Sequence, residues 1–103
     1  MKRVEKLGIP DLTTEQIEIL CETAENAARK HVLSKLSSKM MEKLNISVEA
    51  KGIKPVNMTV EIVVELSPKM KNFDADMLVN EAVKEAFEAS ENYLRKLKCH
   101  SLT

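Results

Sequence analysis

The clearest pattern in the chain is at Val56–Leu66, VNMTVEIVVEL. Val56, Met58, Val60, Ile62, Val64 and Leu66 share one parity; Asn57, Thr59, Glu61 and Glu65 share the other, interrupted by Val63. Side chains alternate faces along a strand, so this stretch predicts a strand with one buried and one wet face. Upstream, Ile46, Val48 and Ala50 alternate with Ser47, Glu49 and Lys51, predicting a first strand over 45–51. Gly52-Ile53-Lys54-Pro55 between them is a connection of ordinary hairpin length that contains both breakers. Ser67-Pro68 ends the second strand, because proline cannot donate to the ladder.

Two helices flank the hairpin. Leu12-Thr13-Thr14-Glu15-Gln16-Ile17 fits a capping box, with Thr13 as N-cap, Gln16 reaching back and Leu12 stapled to Ile17. The stripe that follows runs Ile17, Leu20, Cys21, Ala24, Ala28, Val32, Leu36, Met40 and Leu44; Ser37-Ser38 is its weakest point and allows a break there before a short amphipathic turn. Arg29, Lys30, Lys35, Lys39 and Lys43 complement its negative end. After the basic loop 69–72, Phe73-Asp74 predicts a second helix with Asp74 as N-cap and Phe73 stapled to Leu78. Its apolar positions, Leu78, Val79, Ala82, Val83, Ala86, Phe87, Ala89, Tyr93, Leu94 and Leu97, span more than one sheet contact needs; the residues from 99 on are expected to fray. Residues 1–9 read as either a short edge strand or an extended arm, ended by Gly8 and Pro10.

The expected fold is therefore one α+β domain over 1–103. It has a two-layer α–β–β–α order, the hairpin covered on one face by two helices and open to extension by an N-terminal strand or a partner chain. The central strand lacks an internal proline or inward charge, the usual guards of an edge, and two strands make a thin sheet. Either the N-terminal segment covers that edge or another chain pairs with it. The sequence favours the second, and its candidate interface is Met58, Val60, Glu61, Val63, Glu65, Val83, Phe87 and Leu94.

Composition narrows the functions available. Sixteen basic residues balance sixteen acidic ones, against a free-standing nucleic-acid binder. Lys35, Lys39, Lys43, Lys69 and Lys71 remain as weak RNA-contact candidates, for which solvated charge is the plainer reading. The Lys- and Glu-rich, Gly-poor composition is shared by thermophile proteins and by any pair of exposed helices, so it does not bear on function. Two cysteines and no apolar leader suggest free thiols in a reducing, cytoplasmic setting. No stretch approaches the ~20 apolar residues needed to span a bilayer.

A search for chemistry is negative. Cys21, His31, Cys99 and His100 lack the paired spacing of metal ligands, and no metal or cofactor is expected. There is no nucleophile elbow, and two glycines cannot build a phosphate-cradling loop. Glu61 and Glu65 share a solvated strand face, which would not drive their pKa values apart as acid–base catalysis requires. The sequence reads as a non-enzyme. A KH domain would need a GXXG loop, and Asp74-Ala75-Asp76 stands where a double-stranded-RNA-binding domain wants cations.

GIPDLT at 8–13, HVLSKLSSK at 31–39, ELSP at 65–68 and DADMLVNEAVKEAFEASENYLRKLK at 74–98 resemble a small uncharacterised archaeal family. That family is similar to the small dimerisation subunit of the KEOPS complex, which makes threonylcarbamoyl-adenosine in transfer RNA. Shared features are a helix, an antiparallel hairpin and a long alanine-rich final helix. The small subunit also has a leading strand, only hinted at by residues 1–9, and its first helix is shorter than the one read here. The resemblance implies a non-catalytic paralogue that heterodimerises with the small subunit and meets a larger catalytic subunit through its helices. RNA would then be reached only through the complex. The alternatives are an independent RNA-binding domain and a homodimeric structural protein.

Overall fold

A computed structural model describes residues 2–52, 56–70 and 72–101, with side chains described as far as residue 97. The element order is β1 (Lys2–Ile9), α1 (Thr14–Lys35), a 3₁₀ turn (Ser38–Met40), β2 (Met41–Lys51), β3 (Val56–Leu66) and α2 (Ala75–Ser101). The strands form one antiparallel sheet in the order β1-β3-β2. The two helices pack on each other, α1 against β2 and α2 against β3 and β1.

The parity of β3 is realised residue by residue. Met58, Val60, Ile62 and Val64 are buried, and Asn57, Thr59, Glu61 and Val63 are half-buried on the other face. Under the helices the core joins these residues to Ile46, to Leu20, Ala24, Ala28 and Val32 of α1, and to Leu78, Val79, Ala82 and Ala86 of α2. Small residues at the facing helix positions allow close approach of α1 and α2, so two long helices fit over a three-stranded sheet. Both predicted caps form. Gln16 N donates to Thr13 Oγ1 at 3.1 Å and Thr13 N to Gln16 Oε1 at 2.9 Å, while Met77 N donates to Asp74 Oδ1 at 3.0 Å.

Two expectations are corrected. The break allowed at Ser37-Ser38 is present, with α1 stopping at Lys35 and a 3₁₀ turn following, but the strand predicted over 45–51 begins earlier, at Met41. Leu36 turns extended (φ −132°, ψ 133°) while its N–H still bonds Val32 O at 2.9 Å, and its side chain is 1% exposed in the core. Ser37 and Ser38 favour such exits because their hydroxyls compete for nearby backbone groups. The stripe seemed to continue because Leu36, Met40 and Leu44 are four apart, a spacing that fits a helix face and a strand face equally well.

The second correction concerns the open edge. Residues 2–9 form β1, which pairs with β3 from Lys2↔Val63 to Ile9↔Val56. β3 is thus the central strand, and the edge expected to await another chain is covered within the monomer. At the far end of β2, Gly52 takes φ 98°, a left-handed conformation suited to glycine. The rest of the predicted connection, residues 53–55, lies outside the described residues, as do the side chains of Cys99 and His100.

Candidate interaction surface

The expected interface residues do not form one patch. Met58 and Val60 are 0% exposed and face the helices, so they belong to the core and no partner reaches them. The two parities of β3 point to opposite faces of the sheet and only the helix-free one is open, so they cannot share an interface. Val83 is also buried. Phe87 and Leu94 are half-buried and line two separate grooves beside α2.

The first groove lies between β1 and α2, with Phe87 and Val83 on its floor and Arg3, Glu5, Lys84 and Glu91 around it. Arg3 and Glu5, two apart on β1, form an ion pair along the strand side of the groove. The second lies where the start of α1 meets the end of α2, lined by Pro10, Leu12, Gln16, Leu94 and Leu97. Neither was visible in the sequence, because each joins segments distant along the chain. The unusual width of the apolar face of α2 was the one available signal.

Glu61, Val63 and Glu65 occupy the helix-free face of the sheet. Lys2 Nζ lies 3.4 Å from Glu61 Oε1, Lys2 and Asn45 stand opposite Val63, and Lys43 stands opposite Glu65. Val4, 44% exposed, stands opposite Glu61. This face is a mixed-charge antiparallel surface with two separate valines, as expected of a sheet solvated on one side.

The lysines are exposed. Lys35 ends α1, Lys39 lies in the 3₁₀ turn, Lys43 is on β2 and Lys69 is in the turn after β3. Ser67 N donates to Met40 O at 2.9 Å, which brings the segments bearing Lys39 and Lys69 to the same end of the molecule. Glu65, Asp74 and Asp76 line a depression after β3, so that end also carries negative charge. Lys71 lies outside the described residues.

Among the described residues, no three His, Cys, Asp or Glu side chains are grouped to hold a metal ion. His31, half-buried between the helices, has its Nε2 3.6 Å from Glu81 Oε2 and no hydrogen-bond partner. Cys21 is a free thiol on α1 whose pKa burial pushes up, away from the thiolate form needed for reactivity. No described helix is long and apolar enough to cross a membrane.

Comparison with known proteins gives relatives without assigned activity. Residues 9–93 match a family described as "Protein of unknown function (DUF3194)". An uncharacterised protein of Thermococcus kodakarensis is 29% identical over 96 residues, covering 93% of this chain and 88% of that protein. One of Pyrococcus furiosus is 26% identical over 97 residues, covering 94% and 86%. A crystal structure from Thermococcus onnurineus superposes with a TM-score of 0.87 at 25% identity, covering 97% of this chain and 96% of that one. The solution structure of a hypothetical protein from Methanothermobacter thermautotrophicus has a TM-score of 0.69 at 19% identity, over 85% and 94%, and shares the fold.

Proposed function

The chain belongs to the archaeal family of unknown function DUF3194, and from that premise we propose that it is a non-catalytic dimerisation or accessory subunit of a KEOPS-like tRNA-modifying complex. The observation that carries this reading is the element order β–α–β–β–α. A leading strand is present, and α1 ends at Lys35, ten residues short of Asn45. Both features bring the chain closer to the outline of the small subunit than its sequence suggested.

On this reading the protein is cytoplasmic, needs no cofactor, and meets RNA through the assembly. The half-buried apolar positions Phe87 and Leu94 on α2 are the ones a larger subunit would cover. Affinity purification from the native cell tests the assignment. Co-purification of tRNA-modification subunits supports it, and their absence from a preparation that retains other stable partners counts against it. An electrophoretic shift assay on the isolated protein addresses the RNA-binding alternative, which requires salt-sensitive RNA binding by this chain alone.

A further inference from the structure

The sheet has two edges, and their sequences treat a second copy in opposite ways. β1, KRVEKLGI, carries three cations and a glycine. An antiparallel self-pairing that keeps like faces together must put Glu5 opposite Glu5 or Lys6 opposite Lys6 near its centre. Like charges directly opposite are destabilising, so β1 is guarded against its own copy.

β2, MEKLNISVEAK, is eleven residues long with no proline, and among the described residues no strand lies beyond it. Its irregularity is confined to Met41/Lys43, leaving a regular ladder from Lys43 to Lys51. The antiparallel register that overlaps two copies end to end puts Ile46 on the two-fold axis. Lys43 then faces Glu49, Leu44 faces Val48 and Asn45 faces Ser47, each pair occurring twice by symmetry. Charge pairs and amide–hydroxyl pairs fall on the helix-free face; Leu44, Val48 and Ile46 fall on the core face. Leu44 and Val48 are only partly buried in the monomer although they pack on its core. The next same-face register in one direction sets Lys43 opposite Lys51. The register centred on Ile46 is the one that pairs Lys43 with Glu49.

We propose that two copies of this chain join through β2, antiparallel about Ile46, into a continuous six-stranded sheet. The contact is isologous, so it closes at two and leaves the guarded β1 strands as the outer edges. The inference stands on β2 and not on the tRNA reading. Self-association of the purified chain and recovery of complex subunits are separate experiments, and either can fail alone.

Sedimentation equilibrium of the purified full chain should give twice its 11.6 kDa mass. Lys43→Glu and Glu49→Lys each place like charges opposite one another at two symmetric positions and should weaken the dimer at least tenfold. The double variant Lys43→Glu/Glu49→Lys restores complementarity and should recover it. Circular dichroism on diluted samples verifies that each variant is folded. In a background with Cys21 and Cys99 changed to serine, a mixture of Asn45→Cys and Ser47→Cys chains should cross-link on oxidation far more than either variant alone. A chain that sediments as a monomer at millimolar concentration overturns the proposal. So does a dimer indifferent to both the charge exchange and the cysteine pair.

Discussion

Ser90 of α2 is fully buried with its hydroxyl 4.0 Å from the sulfur of Met58, the point where the long helix crosses the central strand. The same hydroxyl donates to Ala86 O at 2.7 Å, so this buried polar side chain satisfies itself within its own helix. A larger residue would separate helix and sheet. Ser90→Ala keeps the close approach, leaves the Ala86 carbonyl its backbone partner and gains helix propensity, so stability should change by no more than about 0.5 kcal/mol. Ser90→Leu should cost about 1–3 kcal/mol by overpacking. Urea unfolding of the two variants checks the contrast; equal effects would mean that the crossing is not tight.

Adjacent residues of β3 should differ sharply. Ile62 is 0% exposed under the helices, and Ile62→Ala should lose roughly 2–5 kcal/mol. Val63 stands on the open face between Lys2 and Asn45, and Val63→Thr keeps its β-branched shape, so the change should stay within about 1 kcal/mol. Chemical denaturation reads both, and a costly Val63→Thr would show that this face is covered in solution.

The contrast in β3 marks what was legible in the sequence. The alternation from Val56 to Leu66, broken only at Val63, could be read directly because every second residue is apolar for eleven positions. Both helix starts were legible from Thr13, Gln16 and Asp74, whose side chains act within one turn. The end of α1 showed only as the weak point at Ser37-Ser38, and the start of β2 at Met41 was not legible, because Leu36, Met40 and Leu44 satisfy both periods. β1 was ambiguous because Val4 falls on the open face while Leu7 and Ile9 pack on the core, so no single parity is apolar. Its pairing with β3, some fifty residues away, depends on contacts that no local pattern encodes. The sequence therefore left the N-terminal segment and a partner chain as rival covers for the β3 edge, and only the β1–β3 ladder decides between them.

β1 as an edge cover has a direct consequence. Deleting residues 2–9 removes the half-buried Leu7 and buried Ile9 and bares the long, proline-free β3 ladder. The truncated chain should aggregate on standing, since an unguarded flat edge recruits other chains. Light scattering alongside the intact chain measures this. A truncated chain that stays monodisperse and unfolds cooperatively would show that β1 is dispensable.

The start of α1 depends on a reciprocal pair of bonds between Thr13 and Gln16. Thr13→Ala removes the side-chain acceptor for Gln16 N and should cost about 1 kcal/mol. Gln16→Ala removes only the return bond to an exposed N–H and should cost less. Thermal melts of the two single variants and the double variant check whether the bonds are coupled, as a capping box requires.

Cys21 provides a pH-dependent test of burial on α1. Its thiol is pushed above the ordinary value of about 8.5 by burial, so the folded state holds the proton more tightly than the unfolded chain. The sign follows from linkage. Below the ordinary thiol value both states are protonated and the contribution is fully present. As pH rises through the folded value the unfolded chain has already lost its proton, and the contribution disappears. In a Cys99→Ser background, stability should therefore fall more steeply as pH rises through and above the ordinary thiol value of about 8.5 with Cys21 present than after Cys21→Ala. Comparing the two pH slopes by urea unfolding isolates the contribution of Cys21 from that of every group the two chains share. Thiol labelling at neutral pH should likewise be slow in the folded chain and rapid in urea. Equal slopes together with rapid native labelling would mean that Cys21 is open to solvent and that the core-facing stripe of α1 is narrower than the structure has it.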